Sequence, residues 1–246
     1  MLSLEALPIL EDNYIWVLHD GRAALAVDPG DAAPLAAWLR RRELALVAVL
    51  VTHHHSDHVD GLPVLAADWP GLTVHGPARV SGVTNPVTGG RQVTALGMTF
   101  EVLGVPGHTL DHVAYWSAPW LFCGDTLFGA GCGRLFEGAP GQMFDSLGRL
   151  AALPDDTLVC CTHEYTLTNL RFARELQPDH PALAERWRVD GARRERGEPT
   201  LPSTIALERA TNPFLRAGEP ALLALTGTDT PLAAFTELRR RRNGFR

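Results

Sequence analysis

The chain is expected to fold as an α/β domain followed by a helical C-terminal part, and two observations predict this. Up to about residue 165, short β-branched apolar runs bounded by Gly, Pro and polar residues alternate with loops and a few segments of helical spacing. After Tyr165 the apolar residues recur at helical spacing among charges, with Pro and Gly marking the breaks. With 246 residues the chain can bury a full core, as one large domain or one plus an appendage. The expected division is residues 1–165 and 166–246.

Residues 25–27 form a short apolar strand that ends at Asp28, before Pro29-Gly30. Residues 34–42 carry helical spacing. Residues 47–52 read as a buried strand that delivers the run His53-His54-His55-Ser56-Asp57-His58, after which residues 59–68 fit a helix. Residues 99–103 run through a Gly/Pro-rich loop to His108, and residues 120–124 lead directly to Asp125. Residues 142–153 fit a helix, and the strand at 157–162 ends at His163. Three further helices are expected over 167–176, 181–196 and 231–242, with 197–202 as a linker and Ser203 as a helix N-cap. Internal repeats and low-complexity tracts are not apparent.

The His/Asp run carries the chemistry. In an extended segment alternate side chains share a side, so His53, His55 and Asp57 converge while His54 points away. A helix starting at Asp57 would swing His58 back toward them. Four candidate ligands within six residues exceed what one tetrahedral metal with an open position takes, so two adjacent metals are the natural reading. Taken singly, Asp28, His108, Asp125 and His163 read as turn residues, caps or satisfied histidines. Their recurrence at successive strand ends reverses that reading.

Composition restricts the partners. The net charge of −6 argues against nucleic acid or an anionic membrane, and all 22 basic residues are arginine. Of the four cysteines, Cys123, Cys160 and Cys161 fall in expected strands without CxxC spacing, so they read as buried reduced thiols rather than ligands. A basic leader and an 18-residue apolar run are both missing, so neither a signal peptide nor a membrane span is expected, and a cytoplasmic location follows.

The order Asp28, His53-x-His55-x-Asp57-His58, His108, Asp125, His163 resembles the motif series of the metallo-β-lactamase superfamily. Further segments are similar to the glyoxalase II enzymes, the hydroxyacylglutathione hydrolases. These are Asp12-Asn13-Tyr14, the GCGRLFEG segment at 131–138, Thr162-His163-Glu164-Tyr165-Thr166 with Asn169, and the closing stretch 238–245. The resemblance spans essentially the whole chain. It implies an αββα metallo-β-lactamase sandwich with a smaller C-terminal helical domain folded over the metal edge.

The resemblance also implies a ligand set. His53, His55 and His108 would hold one divalent metal; Asp57, His58 and His163 would hold a second; Asp125 would bridge them. Such donors suit zinc, with iron or manganese also compatible. Asp28 would orient a ligating ring from behind. His54 and His112 receive no role. Two metals about 3.5–4 Å apart lower the pKa of bound water to about 7 and polarise a carbonyl. Hydroxide could then attack a thioester, whose thiolate leaves without a general acid.

Carried over position by position, Arg134, Phe136, Tyr165, Arg239 and Arg242 would contact the glutathione moiety of the substrate. Arginines 239–242 read equally well as a solvated helix end. Phe136 stands where some relatives carry Tyr, and Asp111 where Gly is usual, a left-handed position being costly for Asp. The expected activity is hydrolysis of S-2-hydroxyacylglutathiones, with S-D-lactoylglutathione as substrate, in methylglyoxal detoxification by a monomer. A mononuclear-iron persulfide dioxygenase of the same fold is the alternative enzyme. A structural metal module would predict a broken ligand set, yet all seven positions are filled.

Overall fold

A computed structural model describes residues 2–245, and the chain divides into two compact units. Unit 1 takes the chain up to Gly104 plus Asp111–Gly124; unit 2 takes Val105–Leu110 and everything from Asp125 onward.

Unit 1 begins with β1 (Ser3–Ile9), β2 (Asn13–His19) and β3 (Ala23–Val27), paired antiparallel in that order. Helix α1 (Ala32–Arg42) follows, capped by the Asp31 side chain, which accepts from the Ala33 N–H. Then come β4 (Ala45–Leu50), α2 (Ser56–Val59), α3 (Leu62–Asp68), β5 (Thr73–Gly76) and β6 (Asn85–Pro86). Strands β3 to β6 pair parallel, completing a six-stranded sheet. The apolar side chains of α1 and α3, among them Leu35, Trp38, Leu39, Leu62 and Leu65, bury against Ile15, Val17, Val49 and Val51 of this sheet region. Each fully buried aliphatic side chain there is worth about 1.5–3 kcal/mol.

The remaining strands of unit 1 are β7 (Gln92–Ala95), β8 (Met98–Gly104), β9 (Val113–Ser117) and β10 (Trp120–Gly124), joined as an antiparallel meander. Tyr115 on β9 is fully buried and donates its hydroxyl to the Val51 and His75 carbonyls, at 2.9 and 3.2 Å. The Val113 N–H donates to the Thr52 carbonyl. These contacts lock the second set of strands to the end of β4, where the His/Asp run begins.

Unit 2 contains the hairpin β11 (Leu127–Phe128) and β12 (Gly131–Cys132), α4 (Pro140–Ala151), β13 (Leu158–Cys161), α5 (Thr166–Leu176) and α6 (Pro181–Glu195). It closes with β14 (Ser203–Thr204), α7 (Ile205–Thr211), α8 (Pro220–Thr226) and α9 (Pro231–Gly244). Strands β13 and β14 pair antiparallel. Leu170, Ala173 and Leu183 of α5 and α6 close around Ala130 of the hairpin turn.

Three expectations are corrected. The helix expected at 59–68 is two pieces, because the chain breaks at Asp60-Gly61, where the Gly61 N–H donates to the Pro29 carbonyl. Ser203 is not the N-cap of α7: Thr204 accepts from the Leu207 N–H, and Ser203 instead donates to buried Glu208. Asp111 is not among the residues with left-handed backbone, so the cost of Asp at a Gly position does not arise. All four cysteines are free and buried, as expected of reduced thiols.

Candidate active site

In unit 1 the candidate ligands sit where β4 ends and α2 begins. Asp28 is 1% exposed and anchors the cluster. Its Oδ1 accepts from the Thr52 N–H at 2.8 Å and its Oδ2 from the Thr52 hydroxyl at 2.7 Å. Because that hydroxyl's proton is committed to Asp28, the Thr52 oxygen accepts from His53 Nδ1 at 3.1 Å. Asp28 Oδ2 likewise accepts from His58 Nδ1 at 3.0 Å. Both rings therefore carry their proton on Nδ1 and turn an Nε2 lone pair forward, the tautomer a metal ligand requires.

Asp28 itself adopts φ +51, a left-handed conformation that Asp tolerates better than most residues. Gly30 is dictated by space, since a Cβ there would lie 1.8 Å from the Asp57 carbonyl oxygen. His53 Nε2 and His55 Nδ1 face each other at 3.0 Å, and His58 Nε2 is 3.4 Å from Asp57 Oδ2. Asn13 Nδ2 donates to the same Asp57 oxygen at 2.9 Å.

In unit 2, Asp125 presents one carboxylate oxygen to each of two imidazoles. Oδ2 lies 3.4 Å from His108 Nε2, and Oδ1 lies 3.3 Å from His163 Nε2. His108 Nδ1 donates to the Arg134 carbonyl at 2.7 Å, which leaves its Nε2 with the lone pair. Close approach fixes this loop as well: a Cβ on Gly133 would lie 1.9 Å from the Asp125 carbonyl oxygen.

These separations test whether a metal fits. Adjacent ligand atoms on a tetrahedral zinc with arms of about 2.0–2.1 Å stand roughly 3.3–3.4 Å apart. The three carboxylate–imidazole distances of 3.3–3.4 Å are at that length, longer than a charge-assisted hydrogen bond. The donors fit a divalent cation.

A groove of about 190 Å³ in unit 2 is lined by Phe128, Cys132, Arg134, Tyr165, Asn169, Arg239, Arg242 and Asn243. It holds three guanidinium groups, and no carboxylate of the described residues lines it. Tyr165 stacks flat on His163, centroids 4.6 Å apart and planes within 6°, so the groove begins at a candidate ligand.

The four arginines of α9 divide by helical position. Arg239 is buried and donates Nη1 to the Cys132 carbonyl at 2.7 Å; Arg242, one turn on, donates Nε and Nη2 to Asn169 Oδ1, both at 3.2 Å. Arg240 and Arg241 turn away and pair with Glu237. Burial pushes the Arg242 guanidinium pKa down, and the neighbouring charge of Arg239 adds to the shift. Burial pushes the Cys132 thiol up, opposed in part by the charge of Arg239.

Phe136 does not line this groove. It is 61% exposed, edge-on to His108 at 5.2 Å, with the Arg134 guanidinium over its face at 5.5 Å. His54 lies edge-on to His55, centroids 5.0 Å apart, with its Nδ1 3.8 Å from Asp111 Oδ1. Sequence reasoning gave no role to His112, which is buried and stacked on His53 at 4.6 Å. Asn13 was visible as part of a motif, but nothing local signalled that it would bind Asp57.

The arrangement of donors and sheets defines a metallo-β-lactamase-superfamily protein, and a family model of that superfamily matches residues 10–81 and 74–163. A second model, the hydroxyacylglutathione hydrolase C-terminus, matches residues 164–245. The chain belongs to the hydroxyacylglutathione hydrolase, or glyoxalase II, family. It is 45% identical over 255 residues to the hydroxyacylglutathione hydrolase of Nitrosomonas eutropha, covering 100% of both chains. It is 55% identical over 220 residues to that of Thiobacillus denitrificans, covering 88% of this chain and 86% of the relative.

Among solved structures, ETHE1 from Myxococcus xanthus has the same fold, with a TM-score of 0.66 at 24% identity and 100% coverage of both chains. TTHA1623, crystallised in a di-iron-bound form, aligns with a TM-score of 0.61 at 25% identity, covering 87% of this chain and 100% of its own. The C-terminal match and the named relatives favour the hydroxyacylglutathione hydrolases over the persulfide dioxygenase alternative. Among the described residues no helix is long and apolar enough to cross a membrane.

Proposed function

We propose that the protein hydrolyses S-2-hydroxyacylglutathione thioesters, S-D-lactoylglutathione first among them, releasing a hydroxy acid and glutathione in methylglyoxal detoxification. The observation that carries this reading is the flat stack of Tyr165 on His163, which joins a candidate metal ligand to a groove lined by three arginines.

His53, His55 and His108 would hold one divalent cation, Asp57, His58 and His163 a second, with Asp125 shared between them and zinc the expected metal. Bound there, the cations would lower the pKa of water to about 7 and polarise the thioester carbonyl. The chain's own residues do the rest. Asp28, through Thr52 and directly, keeps the Nδ1 protons on His53 and His58, so neither ring can turn its protonated edge forward. The Arg134 carbonyl does the same for His108.

Arg134, Arg239 and Arg242 offer planar donors to the carboxylates of glutathione, and Tyr165 offers a hydroxyl and an aromatic edge. Phe136 contributes an exposed ring beside His108. The leaving thiolate needs no protonation at neutral pH, which favours a thioester over an amide. We further propose that the protein works as a cytoplasmic monomer. The test is hydrolysis of S-D-lactoylglutathione by the purified protein, followed at the thioester absorbance, with metal content measured on the same sample. Turnover with close to two metals per chain supports the reading; a metal-loaded chain that cleaves no glutathione thioester overturns it.

A further inference from the structure

The tight turn between β11 and β12 feeds two lining residues, Phe128 and Cys132, into the arginine groove, and its backbone is held almost entirely by side chains from the C-terminal helices. Asn212 Nδ2 donates to the Phe128 carbonyl at 3.2 Å and the Gly131 carbonyl at 2.8 Å. Asn169 Nδ2 donates to the Gly129 carbonyl at 3.1 Å, and Glu208 Oε2 accepts from the Ala130 N–H at 2.8 Å. Ala130 sits at φ +53, a left-handed conformation that is unfavourable for an alanine and persists only where surroundings impose it.

Glu208 is completely buried, and its two oxygens face opposite ways. Oε1 accepts from Arg186 Nη2 at 2.7 Å and from the Ser203 hydroxyl, on the helical side. Oε2 serves the turn and also accepts from Asn212 Nδ2 at 3.1 Å. Arg186 is tied in addition to Asp190 and Thr211. A buried ion pair of this kind is commonly no more stabilising than well-packed apolar residues. An apolar side chain, however, could not accept from the Ala130 N–H or cap two carbonyls of the turn.

We infer that Glu208 and Asn212 form a positioning hub which holds the 128–132 turn in its left-handed form and so sets the shape of the arginine groove. This deepens the thioesterase reading and rests on it for its kinetic arm. Neither residue touches the groove, so they act through the turn: Cys132, whose carbonyl anchors Arg239, is its last residue.

The test compares Asn212→Ala and Asn212→Ser with Asp190→Asn, which removes a charge paired with Arg186 but no contact of the turn. In the full-length protein, Asn212→Ala should raise KM for S-D-lactoylglutathione about tenfold with a smaller change in kcat, as loss of binding contacts predicts. Hydrogen exchange at the Ala130 amide should accelerate in parallel. Asn212→Ser, which keeps one donor, should fall between, and Asp190→Asn should lower the melting temperature while leaving KM and Ala130 exchange unchanged. An unchanged KM and slow Ala130 exchange in folded Asn212→Ala would overturn the hub. So would failure of both Asn212 variants to fold, since the residue would then serve stability alone. Should the wild-type protein cleave no thioester, the functional reading fails, and Ala130 exchange alone still decides the hub.

Discussion

Asp125 Oδ1 stands 3.3 Å from His163 Nε2 while the other oxygen of the same carboxylate faces His108 at 3.4 Å. One carboxylate that addresses two imidazoles, the facing nitrogen of His108 holding its lone pair because Nδ1 donates to the Arg134 carbonyl, is suited to joining two cations. Asp125→Ala should therefore abolish thioester hydrolysis and drop the metal content measured by elemental analysis below two per chain. Incubating the wild-type protein with a strong chelator should do the same, reversibly on adding back zinc. A fully active Asp125→Ala protein would remove this residue from the site.

Asp28 acts from behind the cluster, on Thr52 and His58 together. Asn at this position would keep the left-handed backbone at small cost, but its amide would set N–H donors against the Thr52 hydroxyl or His58 Nδ1. Loss of such a partner typically lowers metal affinity about 10–100-fold. Asp28→Asn should show that fall in a competition titration against a chromophoric chelator, with the fold retained by circular dichroism.

Much of this site was legible because its residues lie at the ends of short apolar strands, and both signals are local. Residues 47–52 predict β4, and a buried strand can deliver His53 and its neighbours only at its end. The same logic located Asp28, His108, Asp125 and His163. What stayed hidden depends on partners far along the chain. Asn13 meets Asp57 across 44 positions, and Glu208 meets Ala130 across 78. Ser203 has the chemistry of an N-cap, but the buried Glu208 carboxylate competes for its hydroxyl and leaves the cap to Thr204. Burial likewise separates the arginines of α9, which look equivalent as a run: two face the groove and two face Glu237.

That division predicts different outcomes for two arginines three residues apart. Arg239 is 7% exposed and satisfies the Cys132 carbonyl, so Arg239→Ala leaves a buried acceptor unpaired, at a cost of about 1–3 kcal/mol. It should lower the denaturation midpoint and raise KM together. Arg242 is less buried and binds a side-chain oxygen of Asn169, so Arg242→Ala should raise KM with a smaller loss of stability. Steady-state kinetics and urea unfolding on both variants check the contrast; an unchanged KM in both would take the tail out of substrate binding.

Glu237 offers a pH test of the other face of α9. Hydrogen bonds from Arg240 and then Arg241 hold its carboxyl down, from the ordinary 4.5 to about 2. A depressed pKa means the folded state favours the ionised form, so the pairing contributes fully above the unfolded value near 4.5 and is lost as pH falls toward 2. Arg240 is exposed and Glu237 and Arg241 are half-buried at the surface, so salt should screen the contribution and its size should be small. The stability difference between wild type and Glu237→Gln should be constant above pH ~5, shrink as the carboxyl protonates and disappear near pH ~2. It should also diminish in high salt at neutral pH. A difference that stays the same across this range would mean that Glu237 stabilises α9 by packing its methylenes and not by its charge.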